Sequence, residues 1–134
     1  VNDSSSRQLA CIVLAAGSST RFGSDKRQAR LPDGRSVLAA TLQAIPPCFE
    51  RQLLVLKPED AALADALPAQ WQVVTAAQAR LGMGHSLAAG LAACRDCSAV
   101  LVVLADMPHV HSATYAKLAA ALQRTTLVLP RRPW

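Results

Sequence analysis

The sequence predicts an α/β fold: a mainly parallel sheet with helices packed on both of its faces. Strand-like and helix-like segments alternate along the chain. The strand-like segments are continuous apolar runs, as in sheets buried on both faces, and do not alternate apolar with polar positions. A chain of 134 residues, 51% of them hydrophobic, fits one domain with a real core.

Residues 1–8, VNDSSSRQ, are polar and are expected to be a loose leader or a cloning remnant, with the domain spanning 9–134. LACIVLA (9–15) is short, apolar and rich in β-formers, which predicts a buried strand. SVLAATLQAI (36–45) has helical spacing at Val37, Leu38, Leu42 and Ile45, with Ser36 as N-cap and Pro46-Pro47 as the stop. RQLLVLK (51–57) is a second strand. PEDAALADAL (58–67) is expected to be a helix, its proline and acids suited to a first turn. WQVVTA (71–76) is a shorter strand, MGHSLAAGLAAC (83–94) a helix and SAVLVVLA (98–105) the clearest strand of all. HSATYAKLAAALQ (111–123) is helical with Ser112 as a cap, and TTLVL (125–129) is a last strand. In such sheets ligands bind at the carboxyl ends of the strands, where this order places segments 16–27, 76–86 and 105–109.

The formal charge is +5 and aromatic residues make up 4% of the chain. That balance suits an anionic ligand, but few rings are available to stack bases, and Lys and Arg form no run. A small basic cluster at Arg21, Lys26, Arg27, Arg30 and Arg35 points to a phosphate pocket rather than a nucleic-acid track. No apolar stretch is long enough to span a membrane. LACIVLAAG lacks the basic flank of a secretory signal, and Cys11 in an apolar run suits a buried free thiol. A cytoplasmic enzyme is expected.

The segment LAAGSSTRFGSDK (14–26) is the chemically richest in the chain. It fits neither G-x-x-x-x-G-K-[ST] nor G-x-G-x-x-G. Its glycines still allow backbone N–H groups to turn inward as an anion nest, and Arg21 and Lys26 could neutralise a triphosphate. An ordinary strand-to-helix loop with solvated charges is the plain alternative.

LAAGSSTRFGSDK resembles the L-A-A-G-x-S-x-R-[FM]-G-x-x-K signature of MobA-like nucleotidyltransferases. GMGHSL (82–87) resembles the G-M-x-x-S-[LI] loop of the molybdenum cofactor cytidylyltransferase branch, and LADMP (104–108) its G-D-M-P motif. The resemblance runs from about residue 9 to residue 130. It implies a Rossmann-like three-layer sandwich of the nucleotide-diphospho-sugar transferase type. It implies that backbone groups of Leu14, Ala15, Ala16 and Gly17 line the nucleotide, with Ser18 and Ser19 near the phosphates. Arg21 and Lys26 would hold the triphosphate, Asp106 would bind Mg²⁺, and the loop from Gly82 through Met83 to Ser86 would lie by base and ribose. The implied reaction transfers CMP from CTP to the molybdenum-bound pterin with release of pyrophosphate. The implied partners are CTP or GTP, a phosphorylated pterin, and a molybdoenzyme or its accessory protein, with no nucleic acid and no membrane. LAAG and ADMP favour CTP over GTP.

The chain departs from the family pattern at Ala105, where a glycine is common, and at Ala76-Ala77, where Asn-Pro is usual. KRQAR (26–30) is more basic than the usual Lys followed by leucines. The family continues past LVLP with a Gly-His-Pro segment and a second metal-binding Asp, so the domain is expected to be truncated at its C-terminus. The alternatives are a guanylyltransferase or another small-molecule nucleotidyltransferase, and an inactive nucleotide-binding accessory protein.

Two rival sites are weaker. GHSLA (84–88) has the G-x-S-x-G spacing of a hydrolase elbow, with Asp106 and His109 or His111 following, but QARLGM separates it from the preceding strand. CRDC (94–97) is a lone pair of cysteines at the end of a helix, not its start. Met83 and Leu87 are most simply core-facing helix residues.

Overall fold

The structure is a computed structural model that describes residues 8–16 and 29–124. Four strands, β1 (Leu9–Leu14), β2 (Arg51–Leu56), β3 (Gln72–Thr75) and β4 (Ala99–Leu104), form one sheet in the order β3-β2-β1-β4. Every pairing is parallel, with Val13 opposite Leu54 on one side and Val103 on the other. The expected last strand at 125–129 lies outside the described residues, as do residues 1–7 of the expected leader.

Helix α1 (Val37–Ala44) starts where its sequence indicates: Ser36 is the N-cap, and its hydroxyl accepts from the Ala39 N–H at 3.0 Å. Helix α2 (Met83–Ala92) follows Gly82, whose φ of 127° is a backbone conformation that favours glycine. Helix α3 (Ser112–Arg124) begins at Ser112 itself, so the expected cap is the first residue of the helix.

Residues 58–67 depart from the expected α-helix. Pro58–Ala66 is 3₁₀ helix, broken by non-helical backbone angles at Asp60. The proline and acids suit a first turn, but the segment has only scattered leucines, Leu63 and Leu67, to pack onto the core. Without a continuous apolar stripe, tertiary packing does little to select the α form.

Each strand feeds two cores. Cys11, Val13, Leu54, Leu56 and Val103 point to the face covered by α1, α3 and the 3₁₀ segment, where Leu38, Leu42, Tyr115 and Leu122 meet them. Ile12, Leu14, Leu53 and Val55 point to the face covered by α2, where Ala79, Leu87, Ala89 and Cys94 meet them. Helices on both faces are therefore observed, as expected. β4 is less enclosed than its apolar sequence suggests: Val102 and Leu104 remain 43% and 40% exposed, while Val103 between them is buried. β4 is an edge of the described sheet, and α2 lies chiefly over β1 and β2.

Candidate active site

The three chemistry-bearing segments follow β1, β3 and β4 and leave the sheet at the same, carboxyl end, with β2 between β1 and β3. Ladder geometry continues one residue past each strand. The Ala15 N–H donates to the Val55 carbonyl at 2.9 Å, the Ala76 N–H to Leu56 at 2.8 Å and the Ala105 N–H to Leu14 at 3.1 Å. The start of the glycine-rich loop is thereby flanked by the turn that bears Asp106. Ala76 begins the passage that leads through Gly82 into α2. The crevice outside the carboxyl ends of parallel strands is where open α/β sheets bind ligands.

Leu14, Ala15 and Ala16 are buried. Two alanines in succession leave no bulky side chain between the backbone and a ligand. Gly17, Ser18, Ser19, Arg21 and Lys26 lie outside the described residues, as does Arg27. Of the basic cluster, Arg30 and Arg35 are engaged locally on an exposed turn. Arg30 Nη1 donates to the Gly34 carbonyl at 3.0 Å, and Arg35 Nη2 pairs with Asp33 Oδ2 at 2.8 Å. The Arg35 guanidinium donates to the Asp33 carboxylate and holds its pKa below the usual range. These two arginines belong to the turn that precedes α1.

Asp106 is exposed in the turn after β4. Among the described residues no group of three or more His, Cys, Asp or Glu side chains could hold a metal on its own. A single exposed carboxylate does fit a hard divalent cation that takes its other oxygens from phosphates and water, as Mg²⁺ commonly does. Gly82 and Met83 open α2, with Ser86 buried on the helix face toward the sheet. Met83 is 60% exposed and its neighbour Leu81 59%, so Met83 does not face the core as its helical spacing suggests. It sits in the first turn of α2, where the helix has just left the passage from β3 and, among the described residues, no element covers that side.

The rival constellations dissolve in the structure. Ser86 is inside a helix and buried, well past the end of β3 at Thr75, so GHSLA is no strand-to-helix elbow. Cys94 Sγ donates to the Gly90 carbonyl at 3.4 Å, and all four cysteines are free. Burial pushes the Cys11 thiol up to about 12, which makes it a core residue and no nucleophile at neutral pH. One residue at this end of the sheet escapes motif reading. Thr41 is fully buried in α1, and its hydroxyl lies 2.9 Å from the Ala105 carbonyl. Its signal in the sequence is a polar residue on the apolar stripe formed by Leu38, Leu42 and Ile45.

The MobA-like NTP transferase domain matches residues 11–133. The chain is 36% identical over 110 residues to a probable molybdenum cofactor guanylyltransferase of Chloroflexus aggregans, covering 81% of this chain and 50% of that protein. It is also 36% identical over 127 residues to the bifunctional protein GlmU of a Mycobacterium species, covering 87% of this chain and 25% of GlmU. A crystal structure of Rv0371c from Mycobacterium tuberculosis in complex with manganese superposes with a TM-score of 0.64 at 26% identity. That match covers 90% of this chain and 62% of the other. The chain thus spans half or less of the length of these curated relatives. Its parallel sheet and flanking helices have the nucleotide-diphospho-sugar transferase fold seen in solved nucleotidyltransferases. With the family match covering residues 11–133 of a chain whose β1, β3 and β4 all run out at the same end of one parallel sheet, the chain belongs to the MobA-like NTP transferase domain family.

Proposed function

We propose that this domain binds CTP and transfers CMP to the terminal phosphate of a molybdenum-bound pterin, releasing pyrophosphate. The observation that carries the reading is the Ala105-to-Leu14 hydrogen bond of 3.1 Å, which ties the turn bearing Asp106 to the strand from which LAAGSSTRFGSDK departs. In this reading the loop that follows β1, with Arg21 and Lys26, would act together with the Asp106 carboxylate at that end of the sheet.

The backbone of Leu14 through Gly17 would approach the nucleotide, with Ser18 and Ser19 beside its phosphates. Arg21 and Lys26 would pair with the triphosphate and stabilise the charge that develops on pyrophosphate as it leaves. Gly82, Met83 and Ser86 would border base and ribose. An acceptor phosphate oxygen attacks the α-phosphorus, and the bond to the bridging α–β oxygen breaks. That acceptor is ionised at neutral pH, so no general base is required. Positioning and charge neutralisation are what such a transfer asks of the protein. Asp106 would hold a divalent cation, Mg²⁺ in this reading, and the manganese complex of Rv0371c supports divalent metal use in similar proteins. The cation, when bound, would supply positive charge to neutralise the phosphates.

A second reading has its own support. The relative from Chloroflexus aggregans is a probable guanylyltransferase, which favours GTP, whereas LAAG and ADMP favour CTP. An inactive nucleotide-binding accessory protein would bind either nucleotide without turnover. Four free thiols support a reducing, cytoplasmic setting, and among the described residues no helix is long and apolar enough to cross a membrane.

The test is calorimetric titration of CTP and of GTP, each with Mg²⁺, into the chain and into Lys26→Ala. Binding of CTP that weakens about 10-fold or more in the variant is expected from loss of a charge-assisted contact. Preferential binding of GTP selects the second reading. No binding of either nucleotide to a folded chain overturns both.

A further inference from the structure

We infer that Thr41 is a positioning residue for the carboxylate of Asp106. This rests on the nucleotidyltransferase reading above and adds to it a residue that no motif contains.

Thr41 sits in the interior of α1 and is fully buried. A threonine there ordinarily donates its hydroxyl proton to the carbonyl four residues back, and the Val37 carbonyl lies at 2.9 Å. The same oxygen lies 2.9 Å from the Ala105 carbonyl, across 64 residues of sequence. One proton serves two acceptors, and their needs differ. The Val37 carbonyl is within the helix, where the backbone ladder supplies a donor. The Ala105 carbonyl stands one residue beyond β4 on a residue that is itself buried, and Thr41 is its donor among the described residues. A buried carbonyl without a donor is costly, so the Thr41 proton is worth more to Ala105 than to Val37.

Ala105 is therefore held on both sides. Its N–H is held by Leu14, the last residue of β1, and its C=O by α1. That carbonyl belongs to the same planar peptide as the Asp106 nitrogen. Fixing it fixes the frame from which the Asp106 side chain departs. The frame matters because Asp106 is exposed and, among the described residues, no side chain holds its carboxylate. Its aim depends on the backbone, and Thr41 clamps that backbone. Partners one step removed from a metal ligand commonly alter metal affinity 10–100-fold.

The experiment uses Mn²⁺ as the probe, with the nucleotide that the chain is found to bind. Nucleotide affinity is measured by calorimetry with Mn²⁺ and with EDTA, and Mn²⁺ uptake by electron paramagnetic resonance. Thr41→Val keeps shape and removes the donor. It should weaken Mn²⁺-dependent binding about 10-fold while metal-free binding changes by less than about 2-fold. Thr41→Ser should restore binding to about the parent value. Thr41→Cys, a weak donor of similar size, should fall between them, and it gives the answer if the valine variant does not fold. Equal loss with and without metal means a merely structural role and overturns the proposal. So does full Mn²⁺ affinity in Thr41→Val when Asp106→Asn loses it. If Asp106→Asn binds Mn²⁺ and nucleotide as the parent does, the placement of the metal at Asp106 falls, and the role of Thr41 with it.

Discussion

The two faces of the sheet are built from the same strands and packed in different ways. On the face of α1 and α3, large side chains interlock: Leu38, Leu42, Ile45, Tyr115 and Leu122 meet Cys11, Val13, Leu54 and Leu56. On the face of α2, the helix presents Ser86 and Gly90 as its buried residues, and Cys94 is buried just past its end. Gly90 approaches so closely that an added Cβ would stand 3.0 Å from Ile12 Cγ2 and 3.1 Å from Val55 Cγ2. One face is filled by side-chain volume, the other by bringing helix backbone down onto the strands. The difference extends to β4, where Val103 is covered on the first face while Val102 and Leu104 stay half-exposed on the second. Among the described residues, a helix that packs chiefly over β1 and β2 leaves β4 largely uncovered on that face.

The contrast predicts unequal responses to substitution. The largest effect belongs to the filled face. Leu42→Ala removes a buried side chain from the contact between α1 and the sheet and should cost about 2–5 kcal/mol of stability by denaturant unfolding. A loss below about 1 kcal/mol would mean that α1 settles onto the strands and that this face is not volume-limited.

Gly90→Ala comes next. Alanine gains about 1 kcal/mol as a helix former, whereas overpacking a core commonly costs about 1–3 kcal/mol. Ile12 and Val55 are fully buried in central strands and have little room to yield, so a net loss of about 1 kcal/mol is expected. A stabilised variant would show instead that α2 can lift away. The smallest effect belongs to the bare strip. Val102→Thr keeps the β-branched shape on a half-exposed edge position and should change stability by less than about 0.5 kcal/mol. A larger loss would mean that something covers Val102 in solution.

Much of this arrangement was legible locally. The apolar runs at 9–14 and 53–56 announce buried strands because nothing polar interrupts them, and the run at 99–104 announces a strand that proves only partly buried. Ser36 announces the start of α1 because its hydroxyl can meet a free N–H without help from the rest of the fold. The placement of Asp106 after a buried strand predicts its position at the carboxyl end of the sheet, where it is found. Other features were not legible. Residues 58–66 carry the end signals of an α-helix and form a kinked 3₁₀ segment, because end signals without a packing stripe do not stabilise an α-helix. Met83 has helical spacing with Leu87 but lies on a turn of α2 that, among the described residues, nothing covers.

The sequence by itself determined the order and type of most elements, the parallel character of the sheet and the end of the sheet that carries the candidate site. Those properties follow from local patterns: the period of apolar residues, a cap, and the crossover length between strands. The tertiary structure alone decided which helix covers which face, that Gly90 is a contact point, that Val102 and Leu104 of β4 stay half-exposed, and that Thr41 meets Ala105. Each of these depends on groups far apart in the chain, and no short window of sequence contains both partners.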